Sequence, residues 1–171
     1  MIKELVSRDH PALVMIAEPF DFKNPPTNPM QLAVDLAETM IQNNGLGLAA
    51  NQIGLPYRAF AINANPVFVC FNPRIVDQTT ETIAMDEGCL TFPNLFLKIK
   101  RSRTIKIRFA TPTGEVMTRT FDGMTARCFQ HELDHLNGVV YTSKSKPLSL
   151  SMAMKRRSKS KQRYYNVISR N

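Results

Sequence analysis

The run HELDH at residues 131–135 constrains this chain more than any other feature of its sequence. It places His131 and His135 four residues apart, and on an α-helix such residues project from the same face, one turn apart. The two imidazoles can therefore reach one metal ion, while Glu132 can lean over the open coordination position as a general base. The same letters can arise by chance on an amphipathic helix. The chain has only three histidines, however, and finding two in this arrangement favours a metal site.

Two side chains do not hold a catalytic metal, so a third ligand has to come from another part of the chain. The downstream glutamate that one class of zinc proteases uses is excluded, because no acidic residue follows Asp134. The longer pattern HExxHxxGxxH also fails, because Tyr141 stands where it requires a third histidine. His10 lies between Asp9 and Pro11, where a surface or packing role is the better interpretation. A cysteine thiolate is left as the leading candidate.

The three cysteines differ in what they can offer as ligands. Cys128 and His135 are seven residues apart, about 10 Å along a helix that rises about 1.5 Å per residue, so the two cannot share one ion. Cys128 is better interpreted as core or pocket lining, and Cys70 alternates like a buried strand residue in VFVCFNP. Cys89 follows Gly88 in MDEGCLTFP, where a flexible residue at a strand end can aim the thiol at a helix. Spacing alone therefore favours Cys89 and leaves the choice open.

The positive charge is concentrated in the last part of the chain. Residues 1–143 hold all 14 acidic residues and 13 Lys and Arg, whereas residues 144–171 hold nine Lys and Arg and no acid. The length of 171 residues and the hydrophobic content of 43 % predict one compact unit with a proper core. We therefore expect a catalytic domain over residues 1–143 and a basic, partly helical tail over residues 144–171.

Composition also bears on where the protein works. Nothing in the sequence resembles a membrane span, so no membrane partner is expected. The first 20 residues carry acids as well as bases and lack an apolar run with a cleavage signal, which predicts a cytoplasmic protein. Three cysteines are an odd and small number, and they fit a reducing compartment better than a disulfide framework.

The clearest predicted helix covers residues 27–45. Asn28 can cap its start, Gln31 can complete a capping box, and Gly45 offers a stop. Its expected apolar face consists of Ala33, Leu36, Met40 and Ile41.

The rest of the chain predicts an α+β fold. Several extended segments follow the first helix, among them the cleanly alternating run TIKIRFA at residues 104–110. A second helix is expected over about 124–137, and a third after Pro147. We expect antiparallel or mixed β-sheets packed around a central metal-binding HExxH helix, with an N-terminal helix and a C-terminal helical tail.

Three separated segments together resemble one known family. GLGLAANQ (residues 45–52), EGCL (87–90) and HELDH (131–135) look like the three signature motifs of the peptide deformylases, in that family's order and with similar spacing. The resemblance covers residues 1–143. It implies one divalent metal ion, usually Fe(II), with Zn, Ni or Co able to occupy the site, and with water as the fourth ligand. The protein ligands that it implies are Cys89, His131 and His135.

The resemblance also implies a reaction, the removal of formate from the N-formyl-methionine that begins a nascent polypeptide. Glu132 matches the family's catalytic acid and base, while Gln52 and the backbone N–H of Leu90 match the donors to the formyl oxygen. The residues expected to contact the methionine side chain or the peptide backbone are Leu46, Gly47, Met85, Gly88, Met124 and Cys128. For each apolar member of this set, an ordinary place in the core is nearly as good an interpretation.

The sequence departs from the family pattern at three positions near the expected site. Thr91 stands where serine is common, Arg127 where an aliphatic residue is common, and Phe96 where an arginine is common. The metal chemistry is expected to survive these changes, whereas the preference for residues beyond the methionine is left open. Arg101 matches an arginine that is expected to pair with Asp134.

Other interpretations of the tail and of the HExxH run stay open. Some members of the family carry a C-terminal helix that docks on the ribosome, and a basic tail without acids suits ribosomal RNA through attraction to phosphates. A solvated terminus is equally compatible with the tail's composition. A metallopeptidase that cuts ordinary peptide bonds is supported by HExxH alone. A catalytically idle, ribosome-associated binding protein is supported by the tail alone.

Overall fold

The protein is described from a computed structural model, which covers the backbone of residues 1–168 and the side chains of residues 1–159. Three short 3₁₀ helices lie at Pro11–Val14, Ala50–Ile53 and Tyr141–Lys144. The predicted α+β class is confirmed. The main elements, in chain order, are α1 (Pro29–Gln42), β1 (Gly47–Ala49), β2 (Ala59–Ile62), β3 (Phe68–Gln78), β4 (Thr82–Cys89), β5 (Phe92–Ser102), β6 (Thr104–Ala110), β7 (Val116–Asp122), α2 (Gly123–Leu136) and α3 (Pro147–Ile168).

The start of helix α1 is close to the prediction. The Asn28 side chain accepts hydrogen bonds from the backbone N–H groups of Met30 and Gln31 and so caps the helix. The side chain of Gln31 is used differently from the predicted capping box. Its amide donates to the Asp35 carboxylate at 2.7 Å, because Asp35 lies one turn further along the same face.

The end of helix α1 differs from the prediction in two respects. The left-handed residue that follows the helix is Asn44, with a φ of 53°, in place of Gly45. Asparagine tolerates this conformation and can replace glycine there. Ile41, predicted on the apolar face, is 54 % exposed, because its position on the helix turns it past the edge of that face. The buried apolar residues of α1 are Leu32, Ala33, Leu36 and Met40.

Two antiparallel sheets carry the fold. The larger has five strands in the order β1-β2-β3-β6-β7. Its strand β6 alternates as predicted, with Ile105, Ile107 and Phe109 in the core. The smaller sheet is the hairpin β4–β5, in which Glu87 pairs with Leu97.

Helix α2 contacts both sheets and carries the HELDH run. It spans Gly123–Leu136, within one residue of the predicted 124–137. Ala126, Phe129 and Leu136 form an apolar stripe that is fully buried in the cluster covering the five-stranded sheet. Arg127, His131 and Asp134, which lie between the members of this stripe, contact side chains of the hairpin β4–β5.

Helix α3 begins at Pro147, as predicted. Ala153 belongs to a hydrophobic cluster with Leu95 of β5 and Tyr141, and Leu150 packs against this cluster. The Tyr141 hydroxyl donates to the Leu95 carbonyl at 2.7 Å. Among the helices within the described part of the chain, none is both long and apolar enough to cross a membrane.

Candidate metal centre

Three potential ligand atoms from α2 and the end of β4 lie within 4.8 Å of one another: the Cys89 sulfur and one ring nitrogen each of His131 and His135. The Cys89 sulfur is 3.3 Å from Nε2 of His135. Within the described residues, no other group of three His, Cys, Asp or Glu side chains brings its ligand atoms so close together. One thiolate and two imidazoles at this spacing fit a single ion with bonds of about 2.0–2.3 Å.

Cys89 reaches this centre because the end of β4 is irregular. The ladder shifts its register between Glu87 and Cys89, and Cys89 then pairs with Phe92 across a tight turn. Gly88 stands at the shift, where an added Cβ would lie 2.8 Å from the ring of Phe96. A glycine at this point lets the strand turn closely past that ring and present the thiol to α2.

Glu87 connects the hairpin to His131. Its Oε2 lies 3.1 Å from Nδ1 of His131, and its two oxygens accept hydrogen bonds from Nε and Nη2 of Arg101 at 2.6 and 2.8 Å. Burial alone raises the pKa of the Glu87 carboxyl, but the contacts with His131 and Arg101 outweigh it and lower the pKa to about 2. Glu87 is therefore ionised at neutral pH and holds the Nδ1 proton of His131, which leaves Nε2 to bind an ion.

The two histidines differ in their affinity for protons. Burial, reinforced by the positive charge of His131, lowers the pKa of His135 well below its usual value. Burial also lowers the pKa of His131, but hydrogen bonds with Cys89 and Glu87 outweigh burial and raise the pKa to about 10. An ion that binds at this centre therefore competes with a proton.

Glu132 is buried beside the three potential ligands. Its Oε2 is without a hydrogen-bond partner among the described residues. Burial raises the pKa of this carboxyl to about 7, the range in which one group can both take and give a proton at neutral pH. The backbone at Gly47 lies directly against the carboxyl group: an added Cβ would be 2.7 Å from Cγ and Cδ of Glu132. Any larger residue at position 47 would displace Glu132.

The Gln52 amide has a fixed orientation. Its Oε1 accepts a hydrogen bond from the backbone N–H of Ala49 at 2.9 Å. This bond turns Nε2 toward Oγ1 of Thr91, at 3.1 Å, and toward the Cys89 sulfur, at 3.4 Å. Thr91 thus uses the hydroxyl that it shares with the more common serine, and the donor of Gln52 points into the centre. Leu90 lies between Cys89 and Thr91 in the chain, and it lines a cavity together with Gln52 and Cys89.

A cavity of about 470 Å³ opens beside the centre. Met85, predicted to contact the methionine side chain, is not among the described residues that line it. Met85 pairs with Ile99 in the hairpin. Arg127 lines the cavity, and its guanidinium donates to the Ile99 carbonyl at 3.0 Å. The predicted residues that do line the cavity are Leu46, Gly47, Gln52, Gly88, Cys89, Leu90, Met124, Cys128, His131 and Glu132.

Several residues around the centre were predicted incompletely. The expected pairing of Arg101 with Asp134 is confirmed, at 2.7 Å. The contacts of Glu87 and Arg127 with each other were not predicted, although Arg127 had been singled out as a departure from the family pattern. Asn51, whose Nδ2 donates to the carbonyl of His135 at 2.6 Å, was also missed, since its only signal is its place beside Gln52 in GLGLAANQ.

Known proteins match this chain over most of its length. The model of the family described as polypeptide deformylase matches residues 2–151. A peptide deformylase from Thermotoga neapolitana is 42 % identical over 123 residues, which are 71 % of this chain and 74 % of that protein. The crystal structure of a peptide deformylase from Legionella pneumophila is similar with a TM-score of 0.85 and 28 % identity, covering 96 % of this chain and 98 % of its own. A class I type b peptide deformylase from Acinetobacter baumannii with Met-Ala-Ser bound has a TM-score of 0.78 and 30 % identity, covering 84 % and 98 %.

Proposed function

The chain belongs to the peptide deformylase family, and we propose how its own residues carry out that family's reaction. The enzyme removes the formyl group from N-formyl-methionine at the start of nascent polypeptides and releases formate. One observation carries the proposal: Cys89, His131 and His135 meet at one point, and the buried, unpartnered oxygen of Glu132 lies beside them among the described residues.

In our proposal Cys89, His131 and His135 hold one divalent ion. When bound, the ion supplies Lewis acidity that makes water nucleophilic near neutral pH. Following the family resemblance, the native ion is Fe(II), and Zn, Ni or Co can replace it; a donor set of two imidazoles and one thiolate accepts all of these. Elemental analysis of protein purified without oxygen tests the assignment. Iron together with activity that is lost in air supports it, and stoichiometric zinc with air-stable activity contradicts it.

Glu132 moves the proton in the proposed reaction. Its carboxylate takes a proton from the attacking water as the water oxygen bonds to the formyl carbon. It then passes this proton to the amine nitrogen as the C–N bond breaks, so that formate and a free amino terminus leave. A carboxyl group whose pKa is raised to about 7 by burial can act first as base and then as acid without leaving its place.

Gln52 and Leu90 stabilise the charge that develops on the formyl oxygen. The Nε2 group of Gln52 already points into the centre, because the Ala49 N–H holds the other end of the amide. The backbone N–H of Leu90 supplies the second donor. Donors that are fixed before the reaction stabilise the transition state more than donors that must reorient, and one such donor typically contributes 10²–10³ in kcat.

The cavity receives the methionine side chain. Leu46, Met124 and Cys128 give it an apolar wall next to the centre. Gly47 and Gly88 also line the cavity, and we expect the substrate backbone to pass along them. The nascent peptide beyond the methionine binds as an added strand, through backbone contacts that tolerate many sequences. This arrangement explains how one enzyme can process many different nascent chains.

Formate release from a formyl-Met peptide tests the proposal. Metal-loaded protein is expected to release formate, Glu132→Gln to lose activity by about 10²–10⁴, and Cys89→Ala to lose both the ion and the activity. Glu81→Gln is the matched control, because Glu81 is exposed and pairs only with Arg103 among the described residues. Cleavage of an unformylated peptide at a similar rate would support a metallopeptidase, and absence of any release would support an idle binding protein.

We propose a further partner for the basic tail, the phosphate backbone of ribosomal RNA. Lys155 and Arg156 are exposed on α3, beyond Ala153, the last described residue of the apolar cluster that includes Leu95 of β5. We retain residues 1–143 as the catalytic domain and residues 144–171 as the tail, and a cytoplasmic location follows from the nascent substrate.

Co-sedimentation with ribosomes at low salt tests the tail. Lys155→Gln with Arg156→Gln is expected to weaken co-sedimentation, because phosphate binding depends on positive charge and falls steeply with salt. Lys98→Gln with Lys100→Gln removes the same charge from the exposed face of β5 and is the control. Equal co-sedimentation of both pairs with the unmodified protein rules out the proposed partner, and cell fractionation tests the location.

A further inference from the structure

Arg127 is an arginine buried between helix α2 and the hairpin β4–β5, with 5 % of its surface exposed. It lies one helical turn before His131. Its Nη1 donates to Oε1 of Glu87 at 2.5 Å and to the carbonyl of Ile99 at 3.0 Å. Its Nη2 donates to the carbonyl of Ile83 at 2.5 Å. One guanidinium therefore joins the helix to both strands of the hairpin and to one carboxylate.

The bond between Arg127 and Glu87 bears directly on the geometry of the centre. Glu87 contacts His131 through its other oxygen and stands two residues before Cys89 on the same strand. The hairpin supplies the sulfur and α2 supplies the imidazoles, so the distance between these two elements decides whether the three ligand atoms can meet. Arg127 spans that distance at the level of Glu87.

Arg101 does not duplicate this contact. Its described hydrogen bonds go to the side chains of Glu87 and Asp134, and Arg101 itself belongs to the hairpin. Arg127 reaches from α2 to the main chain of β4 and of β5, which are fixed parts of the sheet. If Arg127 were lost, Glu87 would keep a cationic partner, but the hairpin backbone would lose its tie to this turn of α2.

We propose that Arg127 is a positioning residue, which sets the separation between the strand end that carries Cys89 and the helix that carries His131 and His135. The inference rests on the proposed function, in which these three residues hold one ion. A lysine cannot replace Arg127, because one ammonium group does not match three acceptors that lie in different directions around a planar fork. Arg127 also lines the substrate cavity, so the residue links the shape of the cavity to the ligand set.

The test compares Arg127→Met and Arg127→Lys with Arg108→Met, a matched control at an exposed arginine of β6. Each protein is loaded with Co(II), whose visible absorption and sulfur-to-cobalt charge-transfer band report how the thiolate is bound. Release of Co(II) to a chelator is followed at a temperature where circular dichroism shows every variant folded. Both Arg127 variants are expected to release Co(II) about 10- to 100-fold faster than the unmodified protein, with a weaker or shifted thiolate band. Arg108→Met is expected to match the unmodified protein.

The outcomes distinguish a failure of the positioning role of Arg127 from a failure of the proposed function. Release rates within twofold and an unchanged cobalt spectrum in the Arg127 variants, with or without a lower melting temperature, overturn the positioning role. If Arg127→Met does not fold, Arg127→Lys, which keeps the charge and most of the volume, decides the question. Absence of the thiolate band in the unmodified protein is a different result: it removes Cys89 from the ligand set and defeats the proposed function itself.

Discussion

Helix α2 is held by the two sheets in two different ways. Toward the five-stranded sheet it packs Ala126, Phe129 and Leu136 into an apolar cluster. In this cluster the rings of Phe129 and Phe60 lie edge to face, with their centroids 4.9 Å apart. Toward the hairpin β4–β5 it presents polar side chains that make hydrogen bonds and ion pairs. The side chains on this second face are Arg127, Gln130, His131 and Asp134.

The two faces have different physical properties. Apolar packing is strong but has little direction, because it depends on the area removed from water. Buried ion pairs add little net stability, since removing charges from water costs about as much as their attraction returns, but their hydrogen bonds fix angles and distances. In the proposed centre the thiolate comes from the hairpin and both imidazoles from α2, so the directional contacts lie where the three proposed ligand atoms would meet. We infer that the apolar face stabilises the fold and the polar face sets the geometry.

The largest expected effect on stability lies on the apolar face. Phe129→Ala removes a fully buried ring and is expected to lower the free energy of unfolding by about 5 kcal/mol, the upper end for such a change, because a cavity is left. Urea denaturation of the ion-free protein measures the loss, with Phe96→Ala, at a 65 % exposed ring, as the control. Release of Co(II) from the folded variant is expected to stay within twofold. A tenfold faster release would mean that the apolar face also sets the ligand geometry, and the proposed division of roles between the two faces would be wrong.

The next effect lies on the polar face. Arg101→Met leaves Glu87 with less compensation for its buried charge, and the free energy of unfolding is expected to fall by about 4 kcal/mol. Release of Co(II) is expected to rise by about 10- to 100-fold. Arg103→Met, at an exposed arginine of the same segment that pairs with Glu81 and Asp122, is expected to cost at most about 1 kcal/mol. Equal losses from the two variants would contradict the special status of the buried network.

Two buried glutamates show what the partners on the polar face contribute. Glu87 is surrounded by cations and its pKa falls to about 2, whereas burial raises the pKa of Glu132 to about 7. A raised carboxyl pKa in the folded state means that the stability contributed below a pH of about 4.5 is lost as the pH rises to about 7. From pH 4 to pH 8, Glu132→Gln is therefore expected to gain about 3 kcal/mol relative to the unmodified ion-free protein.

Urea denaturation at a series of pH values measures this gain, and Glu81→Gln is the control at an exposed site. An unchanged difference between pH 4 and pH 8 would mean that Glu132 is solvated in the ion-free protein. The opposite sign would mean that it has a cationic partner, as Glu87 has.

The side chains on the polar face of α2, which includes two of the proposed ligands, could be predicted from the sequence better than the contacts that they make. A repeat of four residues places His131 and His135 on one side of any helix, so their convergence follows from local geometry alone. Spacing favours Cys89 but leaves the choice of the third ligand open, because directing a thiol toward a helix 42 residues further along the chain depends on a strand irregularity that has no local signature. The family resemblance supplied what spacing could not.

Two predicted positions differ from the structure, for different reasons. Met85 was expected on the cavity wall from the family resemblance. Among the described residues Arg127 lines the cavity and Met85 does not, and the direction of the Arg127 side chain depends on carbonyl groups more than 25 residues away in the chain. Asn44 replaced Gly45 at the end of α1 because either residue tolerates the left-handed conformation. Long-range contacts therefore account for the difference at Met85, and a choice between two adjacent residues accounts for the difference at the end of α1.

The smallest expected effect is at Gln130, and it distinguishes the role of charge on the polar face from the role of directional hydrogen bonds. Gln130 is neutral, yet it binds the backbone of Ser102 twice, accepting from its N–H at 3.2 Å and donating to its carbonyl at 2.9 Å. Gln130→Ala is expected to lower the free energy of unfolding by about 1–2 kcal/mol, because two backbone groups lose a buried partner. The ladder of β5 ends at Ser102, far from the Cys89 turn, so Co(II) release is expected to change by less than threefold.

Hydrogen exchange of the Ser102 amide is expected to quicken, and Gln78→Ala, at an exposed glutamine, serves as control. A tenfold faster Co(II) release would show that any tie between α2 and the hairpin sets the ligand geometry, and the particular role of Glu87 with its two arginines would disappear.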